Sequence, residues 1–431
     1  MNHPNKRLNM WITGGLCTCL LLSGCGTGSG NSKEYAVDKM DSSVEQATYQ
    51  PSDLDPDFAE DQLAFAFELY QTMQTHKPSP PDNDTISPVS IATALSMTMN
   101  GAAGVTLTQM EEALHSAGRD AEARNQGYAV LADLLSHSGE HVKVSLANSL
   151  WGREPLQFKT NFIETNQTSY NAAIEALDFT QDDAADRINA WVREQTAGKI
   201  DKMIEPPISG DLILYLLNTV YFKGAWQSEF KAEATSPDTF TNASGQAEQV
   251  PMMNNHGYYP YVQQDGFQAI RLPYKQSGLG MVILMPDEEQ SLEALIEQMN
   301  PGTWQGMLEA MEAQQGHIRL PKFKLEFNMT LKDTLQAMGI SDAFHVERAD
   351  FTPMIELEDN VFIGEATHKT FIEVDEKGTE AAAATVIGME AGSAPPKDPF
   401  EMIVNRPFFF AIEDERTSAI LFMGSVHNIL E

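Results

Sequence analysis

The side chains best suited to covalent or metal chemistry are few in this chain and poorly placed for it. Its three cysteines stand at positions 17, 19 and 25, and none follows over the rest of the chain. The body therefore has no disulfide, no cysteine nucleophile and no cysteine-ligated metal. The ten histidines lack ligand spacing, and neither a Gly-x-Ser-x-Gly elbow nor a His-Glu-x-x-His helix occurs. The sequence predicts a protein that is not an enzyme and needs no metal or cofactor.

The N-terminus has the features of an export signal. Two basic residues precede a short apolar segment, Met10 to Leu22, which is shorter than the roughly 20 apolar residues of a membrane span. Leu22-Ser23-Gly24-Cys25 resembles a bacterial lipobox, where a peptidase cuts before a cysteine that then receives a diacylglyceride. The resemblance implies that residues 1–24 are removed and that Cys25 holds the exported protein at the cell envelope or surface. A plain secretory signal is the alternative.

A polar segment follows this signal and precedes the body of the protein. Residues 25–57 begin with Gly26-Thr27-Gly28-Ser29-Gly30. No strand precedes these glycines and no glycine–lysine pair closes them, so we predict a flexible tether rather than a phosphate loop. Residues 58–431 contain no linker and predict a single domain. The formal net charge of −33 argues against nucleic acid and anionic headgroups as partners.

The spacing of apolar residues predicts helices in the first part of the body and strands in the later part. Helical spacing occurs at Phe58–Tyr70, Ser90–Asn100, Val105–Leu114 and Asp183–Thr196. Continuous apolar runs predict strands buried on both faces at Leu212–Phe222, Gly280–Met285 and Phe408–Ile412. Ile318–Phe327 alternates and predicts one half-buried strand. This order indicates an α+β architecture rather than alternating βαβ units.

The most specific stretch runs from Phe371 to Ser393. A predicted strand, Thr370–Asp375, leads into a segment with four consecutive alanines, and glycines and prolines follow it. Gly378-Thr379-Glu380-Ala381-Ala382-Ala383-Ala384-Thr385 resembles the reactive-loop hinge of inhibitory serpins. Other segments resemble serpin signatures in the expected order: Ser87–Ile91, Asn218–Trp226, Leu320–Phe323, Asn405–Ile412 and Leu421–Gly424.

The resemblance covers the chain from Phe58 to its end and implies the fold and the mechanism. The implied fold is α+β, with three β-sheets, about nine helices and an exposed reactive-centre loop at about residues 376–400. The implied function is inhibition of serine proteases as a suicide substrate, and papain-like cysteine proteases stay open as targets. The protease cuts the loop and forms an acyl-enzyme, and insertion of the loop into the main sheet traps it.

The predicted hinge is suited to insertion as a strand. It consists of Glu376, Gly378, Thr379, Glu380, Ala381, Ala382, Ala383, Ala384 and Thr385. Alternate side chains of a strand face opposite ways, so the face that begins with Thr379 and ends beyond Thr385 carries no charge, while Glu380 lies on the other face. An unpaired buried charge would cost several kcal/mol. This pattern favours an inhibitor over a non-inhibitory member of the family.

Five further residues are implied to control the opening of the sheet. The resemblance places Ser87 and Ser90 at a helix start beneath the sheet, and Asn218 and His368 on central strands. Such a cluster would hold strands together yet exchange hydrogen-bond partners easily. Trp226 is implied to plug the top of the sheet, where insertion begins. Without the resemblance, these residues would be interpreted as ordinary buried polar groups and a core tryptophan.

The bond that the protease cuts sets the target. Family spacing from Gly378 places it between Gly392 and Ser393. The segment from Gly378 to Pro407 is longer than in typical members, so Met389, Glu390, Ala391 and Ala394 remain alternatives. None of these residues is basic, which favours an elastase- or subtilisin-like protease over a trypsin-like one.

Two alternatives concern partners. The long loop keeps open a non-inhibitory serpin-fold binding protein that is only cleaved as a substrate. Heparin-like activation is not expected, because residues 113–142 lack a basic stripe. We expect a monomer whose partners are the target protease and, through Cys25, the membrane.

Overall fold

The computed structural model describes residues 47–75, 81–209, 212–356, 361–379 and 398–429. Along these residues the chain forms nine α-helices and fifteen strands. The helices are α1 (Pro56–Gln74), α2 (Pro88–Met99), α3 (Gly104–Ala113), α4 (Ala121–Ser136), α5 (Thr160–Tyr170), α6 (Ala184–Gln195), α7 (Leu292–Gln298), α8 (Pro301–Ala310) and α9 (Lys332–Ala337). The strands are β1 (Asp84–Ile86), β2 (Val142–Arg153), β3 (Ala173–Leu177), β4 (Leu214–Ala225), β5 (Ser236–Thr241), β6 (Ala247–Gln264), β7 (Phe267–Pro273), β8 (Leu279–Pro286), β9 (Glu312–Pro321), β10 (Phe323–Thr330), β11 (Glu365–Asp375), β12 (Gly378–Thr379), β13 (Phe400–Ile403), β14 (Phe408–Asp414) and β15 (Ala419–Val426).

The four helices predicted from apolar spacing are present as α1, α2, α3 and α6. Helix α1 begins at Pro56, and the Asp55 side chain caps it by accepting the Asp57 N–H at 3.1 Å. Every residue of α2 is buried, as its small and apolar composition predicts. Helix α6 ends before Gly198, whose φ of +78° is a conformation that glycine adopts most readily.

The site depends on a six-stranded sheet in the order β10-β11-β12-β4-β2-β3. Strand β4 lies near its centre, antiparallel to β2 and parallel to β11. Nearly all of its side chains are buried, because α2 packs against one face and α6 against the other. The apolar run at Leu212–Phe222 therefore predicted this strand correctly.

The remaining strands form a nine-stranded sheet. Its order is β1-β15-β14-β8-β7-β6-β9-β13, with β5 paired to β6. Strand β6 is 18 residues long; it pairs with β5 and β9 along most of its length and with β7 at its end. Because β6 pairs with strands at both of its ends, it connects two groups of strands that would otherwise be separate sheets. The predicted α+β class and fold are confirmed, although the described strands form two hydrogen-bonded sheets rather than the three that the resemblance implies.

One predicted strand is divided in two. The alternation at Ile318–Phe327 is real, but β9 ends at Pro321 in the nine-stranded sheet and β10 begins at Phe323 in the six-stranded sheet. Proline has no N–H to continue a ladder, and the next donor, Lys322 N, bonds to Pro251 O at 3.0 Å. Period-two spacing cannot distinguish one strand from two strands that continue in phase.

The end of the predicted tether contacts the body. Tyr49 N donates to Asp133 Oδ2 at 2.9 Å, Leu54 is buried, and Arg119 forms ion pairs with both Asp55 and Asp61. The folded body thus begins before the boundary predicted at Phe58. The predicted signal peptide and the first part of the tether lie outside the described residues. Among the helices that the structure describes, none combines the length and the apolarity needed to cross a bilayer.

Candidate functional site: the hinge and the seam between two strands

The candidate site is the seam between β4 and β11. These strands pair directly only where Glu365–Lys369 lie beside Tyr215–Thr219. At the other end of the seam, which we call its upper end, the short strand β12 lies between β4 and β11. Thr379 pairs with Val374 of β11 and Gly224 of β4, and Gly378 pairs with Asp375 and Ala225. Gly378 and Thr379 of the predicted hinge are therefore already part of the sheet.

Close packing requires glycine at the start of β12. A Cβ on Gly378 would lie 2.0 Å from the Gly224 carbonyl oxygen, closer than any real contact. Thr379 is 1% exposed and faces the core, as the uncharged face of the hinge was predicted to do. The other hinge residues, Glu380, Ala381, Ala382, Ala383, Ala384 and Thr385, lie outside the described residues.

The turn that precedes β12 is held from several directions. The Glu376 carboxylate forms an ion pair with Lys322 Nζ at 2.9 Å and accepts the Thr235 hydroxyl at 2.9 Å. Burial opposes ionisation of Glu376, but these contacts outweigh it and keep the pKa of the carboxyl below its ordinary value. The Glu376 carbonyl also accepts the Phe230 N–H at 2.8 Å. Glu376 thus anchors the hinge as an ionised group.

Trp226 lies at the top of the seam, against the turn that precedes β12. Its backbone N–H donates to Lys377 O at 2.9 Å and its indole Nε1–H to Asp375 O at 3.0 Å. Its ring stacks on Tyr274 with centroids 4.7 Å apart. Tyr274 in turn forms a 2.6 Å hydrogen bond with the Thr379 hydroxyl. Sequence reasoning missed Tyr274, because no local pattern distinguishes it from the other ten tyrosines.

The four predicted sheet-opening residues meet beneath the middle of the seam. His368 Nε2 accepts the Ser87 backbone N–H at 3.0 Å, so its proton is on Nδ1, which donates to Asn218 Oδ1 at 2.7 Å. The Asn218 amide then donates to the Ser90 carbonyl at 2.8 Å and contacts Ser90 Oγ at 2.5 Å. It also donates to Asn148 Oδ1 at 2.6 Å. Asn148 was missed, because its strand also contains Lys143, Ser145 and Ser149, and nothing in the sequence sets it apart from them.

This cluster is not fully hydrogen-bonded. The Ser87 hydroxyl and Asn148 Nδ2 are buried without a hydrogen-bond partner among the described residues. Ser87 joins the cluster through its backbone N–H, not through its hydroxyl. Buried polar groups without partners are destabilising, so this arrangement is less stable than a fully hydrogen-bonded one.

A family model described as "Serpin (serine protease inhibitor)" matches residues 60–429. The chain belongs to the serpin family. It is 35% identical to the leukocyte elastase inhibitor of Bos taurus over 378 residues, which is 84% of this chain and 96% of the relative. The native state of Tengpin, a thermophilic serpin, superposes with a TM-score of 0.80 at 31% identity, over 87% of this chain and 95% of Tengpin. Human thyroxine-binding globulin complexed with thyroxine superposes with a TM-score of 0.78 at 26% identity, over 87% and 99%.

The described part of this serpin also contains a serine, a histidine and an aspartate in contact. Ser425 Oγ donates to Asp84 Oδ2 at 2.8 Å, and His427 Nε2 lies 2.9 Å from Ser425 Oγ. In a hydrolase triad the histidine accepts the serine proton. Here the carboxylate accepts it, so the histidine must donate to the serine oxygen. All three residues are buried, and the arrangement is a structural network.

His368 should make the stability of this serpin depend on pH. Burial lowers the pKa of His368 to about 3 from an ordinary value of 6.5. The unfolded chain therefore binds a proton here below about pH 6.5, whereas the folded protein stays neutral down to about pH 3. Stability is unaffected above this window and falls as the pH drops through it, by about 2 kcal/mol between pH 6.5 and 5.

Urea unfolding of the wild type and of His368→Gln at pH 7.5, 6.5 and 5 measures this contribution. The wild type should lose more stability than the variant over the acidic step, and the two should change in parallel above pH 6.5. Equal losses in both proteins at pH 5 would show that His368 is not held neutral.

The predicted lipidation residue Cys25 and the predicted reactive bond, Gly392–Ser393, lie outside the described residues.

Proposed function

We propose that this serpin inhibits serine proteases as a suicide substrate, by inserting its cleaved loop between β4 and β11. The observation that supports this most is the position of β12, which already pairs with both strands at the upper end of the seam. Below it, the cluster around His368 contains buried polar groups without partners. The hinge is thus at the entrance of a seam that is only partly closed.

The register of β12 specifies what continued insertion would meet. If pairing continues, Glu380 arrives between Lys223 of β4 and Glu373 of β11, on the outer face. A carboxylate there lies beside the cross-strand pair of like charges, Lys143 and Lys223, and would reduce their repulsion. Glu373 would repel Glu380 from the other side, but the two lysines would offset this repulsion, and no charge enters the core.

The same register brings Thr385 to the sheet-opening cluster. Five residues beyond Glu380, Thr385 would enter between His368 and Asn218, with its side chain on the inner face that Thr379 already occupies. It would replace the direct pairing of these two residues. The Thr385 hydroxyl could then form hydrogen bonds with the side-chain atoms of His368 and Asn218 that no longer contact each other. A small polar side chain at this position suits a passage between two hydrogen-bonding groups.

We propose an elastase- or subtilisin-like target. The residues around Gly392 and Ser393 are small and include no lysine or arginine. The relative from Bos taurus is named as a leukocyte elastase inhibitor, which supports the same class. The alternative is a serpin that binds a ligand and is only cleaved; the likeness to thyroxine-binding globulin and the long loop favour it.

Incubation with pancreatic elastase and with subtilisin distinguishes these functions. An inhibitor forms an SDS-stable complex whose mass is close to the sum of the protease and the serpin, and the mass of the released peptide identifies the cut bond. A substrate gives only the cleaved chain. Cleavage by both proteases without a complex at any molar ratio would contradict the proposed function.

We further propose that the protein is exported as a monomer and anchored through a lipid on Cys25. Mass spectrometry of the full chain expressed in a bacterium should find an N-terminus at residue 25 that carries a diacylglyceride. Cys25→Ser is the matched control and should lack the lipid. An N-terminus elsewhere, without a lipid, would show that the signal is a plain secretory one.

A further inference from the structure

Tyr274 occupies a fixed position at the junction of the two sheets. It follows β7 and forms an isolated bridge with Trp226, and the next residue, Lys275, donates its N–H to Ala225 O at 2.8 Å. Its ring is fully buried between Trp226, on which it stacks, and Phe222, whose ring meets it edge-on at 4.9 Å. A Cβ on Gly224 would lie 2.7 Å from the ring, so that side is also filled.

The hydroxyl of Tyr274 is therefore held at one point, and Thr379 meets it there. The two hydroxyl oxygens are 2.6 Å apart, and neither makes another hydrogen bond to the described residues. Both residues are almost completely buried. If Thr379 leaves the seam, Tyr274 keeps a buried hydroxyl without a protein partner, which is unfavourable.

We infer that Tyr274 is a positioning residue that holds Gly378 and Thr379 in the seam before cleavage and thereby slows engagement of the loop by proteases. This inference rests on the proposed function and adds a residue that sets its rate. A hinge that pairs with β4 and β11 shortens the free length of the loop. Release of the hinge lengthens the loop, so the population of the released state should govern how fast a protease can dock.

The same contact should favour trapping after cleavage. The paired hinge is a preformed first step of insertion, and a cleaved loop can continue from it. Loss of the contact should therefore have two opposite effects. Proteases should associate faster, while more of the serpin should be cleaved without trapping. A change that merely destabilised the fold would not accelerate association.

Hydrogen–deuterium exchange of the full chain tests the contact without any protease. In Tyr274→Phe and in Thr379→Val, one hydroxyl loses its partner, and the amides of residues 378 and 379 should exchange about two- to tenfold faster than in the wild type. The double variant removes both hydroxyls and should recover most of the protection, because two apolar groups now meet. Tyr259→Phe is the control, since its buried hydroxyl has no hydrogen-bond partner among the described residues.

The kinetic readout is the association rate with subtilisin together with the number of serpin molecules consumed per protease trapped. Tyr274→Phe should raise both, each by about two- to tenfold, and the double variant should return both towards the wild type. Unchanged exchange in Tyr274→Phe overturns the inference. Faster exchange with an unchanged association rate overturns the link to docking. If the wild type traps no protease, the proposed function fails, and the exchange data still decide whether Tyr274 holds the hinge.

Discussion

Thr379→Arg should convert this serpin from an inhibitor into a substrate. Thr379 is 1% exposed, and its hydroxyl meets Tyr274, whose ring packs against Trp226 and Phe222. A guanidinium there would be buried without a carboxylate, at a cost of several kcal/mol. The hinge would therefore stay outside the seam, and the acyl-enzyme would hydrolyse before insertion. The fraction of subtilisin trapped should fall by more than about tenfold, since each 1.4 kcal/mol changes a ratio tenfold.

The matched control is Lys377→Arg. Lys377 is exposed, two residues before Thr379 in the same turn, so an arginine there adds no buried charge. The control should trap protease as the wild type does, and both variants should be cut at the same bond. A Thr379→Arg protein that still forms the SDS-stable complex in wild-type yield would contradict the role assigned to the hinge.

Cleavage of the loop should raise the melting temperature of the wild type by at least about 10 °C. Insertion would add a strand between β4 and β11, with new backbone hydrogen bonds on both sides and several apolar side chains buried. Each kcal/mol gained raises the melting temperature of a large domain by roughly 2 °C, so a gain of only about 5 kcal/mol suffices. Differential scanning calorimetry of the intact and nicked proteins measures the difference.

The same measurement on Thr379→Arg is the control for insertion. Nicking cuts the chain in both proteins, but only the wild type should gain a strand. The nicked variant should therefore melt near the temperature of its intact form. An equal melting temperature for nicked and intact wild type would show that no strand has been added, and the proposed mechanism would be wrong.

The proposed insertion would reach the predicted sheet-opening residues at His368 and Asn218. If the register of β12 continued, Thr385 would enter where these two residues now pair with each other, five strand positions after Glu380. The hinge at the top of the seam and the cluster beneath its middle would then act in sequence. In the proposed mechanism the hinge would begin the new strand, and the incompletely paired cluster would give way to it. This order follows from strand register and was not apparent from the residues alone.

The sequence predicted the main elements because their patterns are local. Helix α2 is buried along its whole length, and β4 is an apolar run, so composition and period suffice to find them. The junction between β9 and β10 was missed for a local reason as well, since two strands in phase have the same alternation as one. The start of the folded body near Tyr49 depends on contacts with Asp133 and Arg119, which lie far along the chain.

The amino-acid sequence by itself determined the fold class and the absence of cysteine from the body, and its resemblance to serpins predicted the hinge and the sheet-opening residues, because each of these depends on residue type and order. Only the tertiary structure decided that Thr379 already lies within the sheet, that Ser87 acts through its backbone, and that Tyr274 and Asn148 belong to the site. Tyr274 and Thr379 are 105 positions apart. Residues so distant meet only when two sheets pack, and no spacing along the chain encodes that meeting.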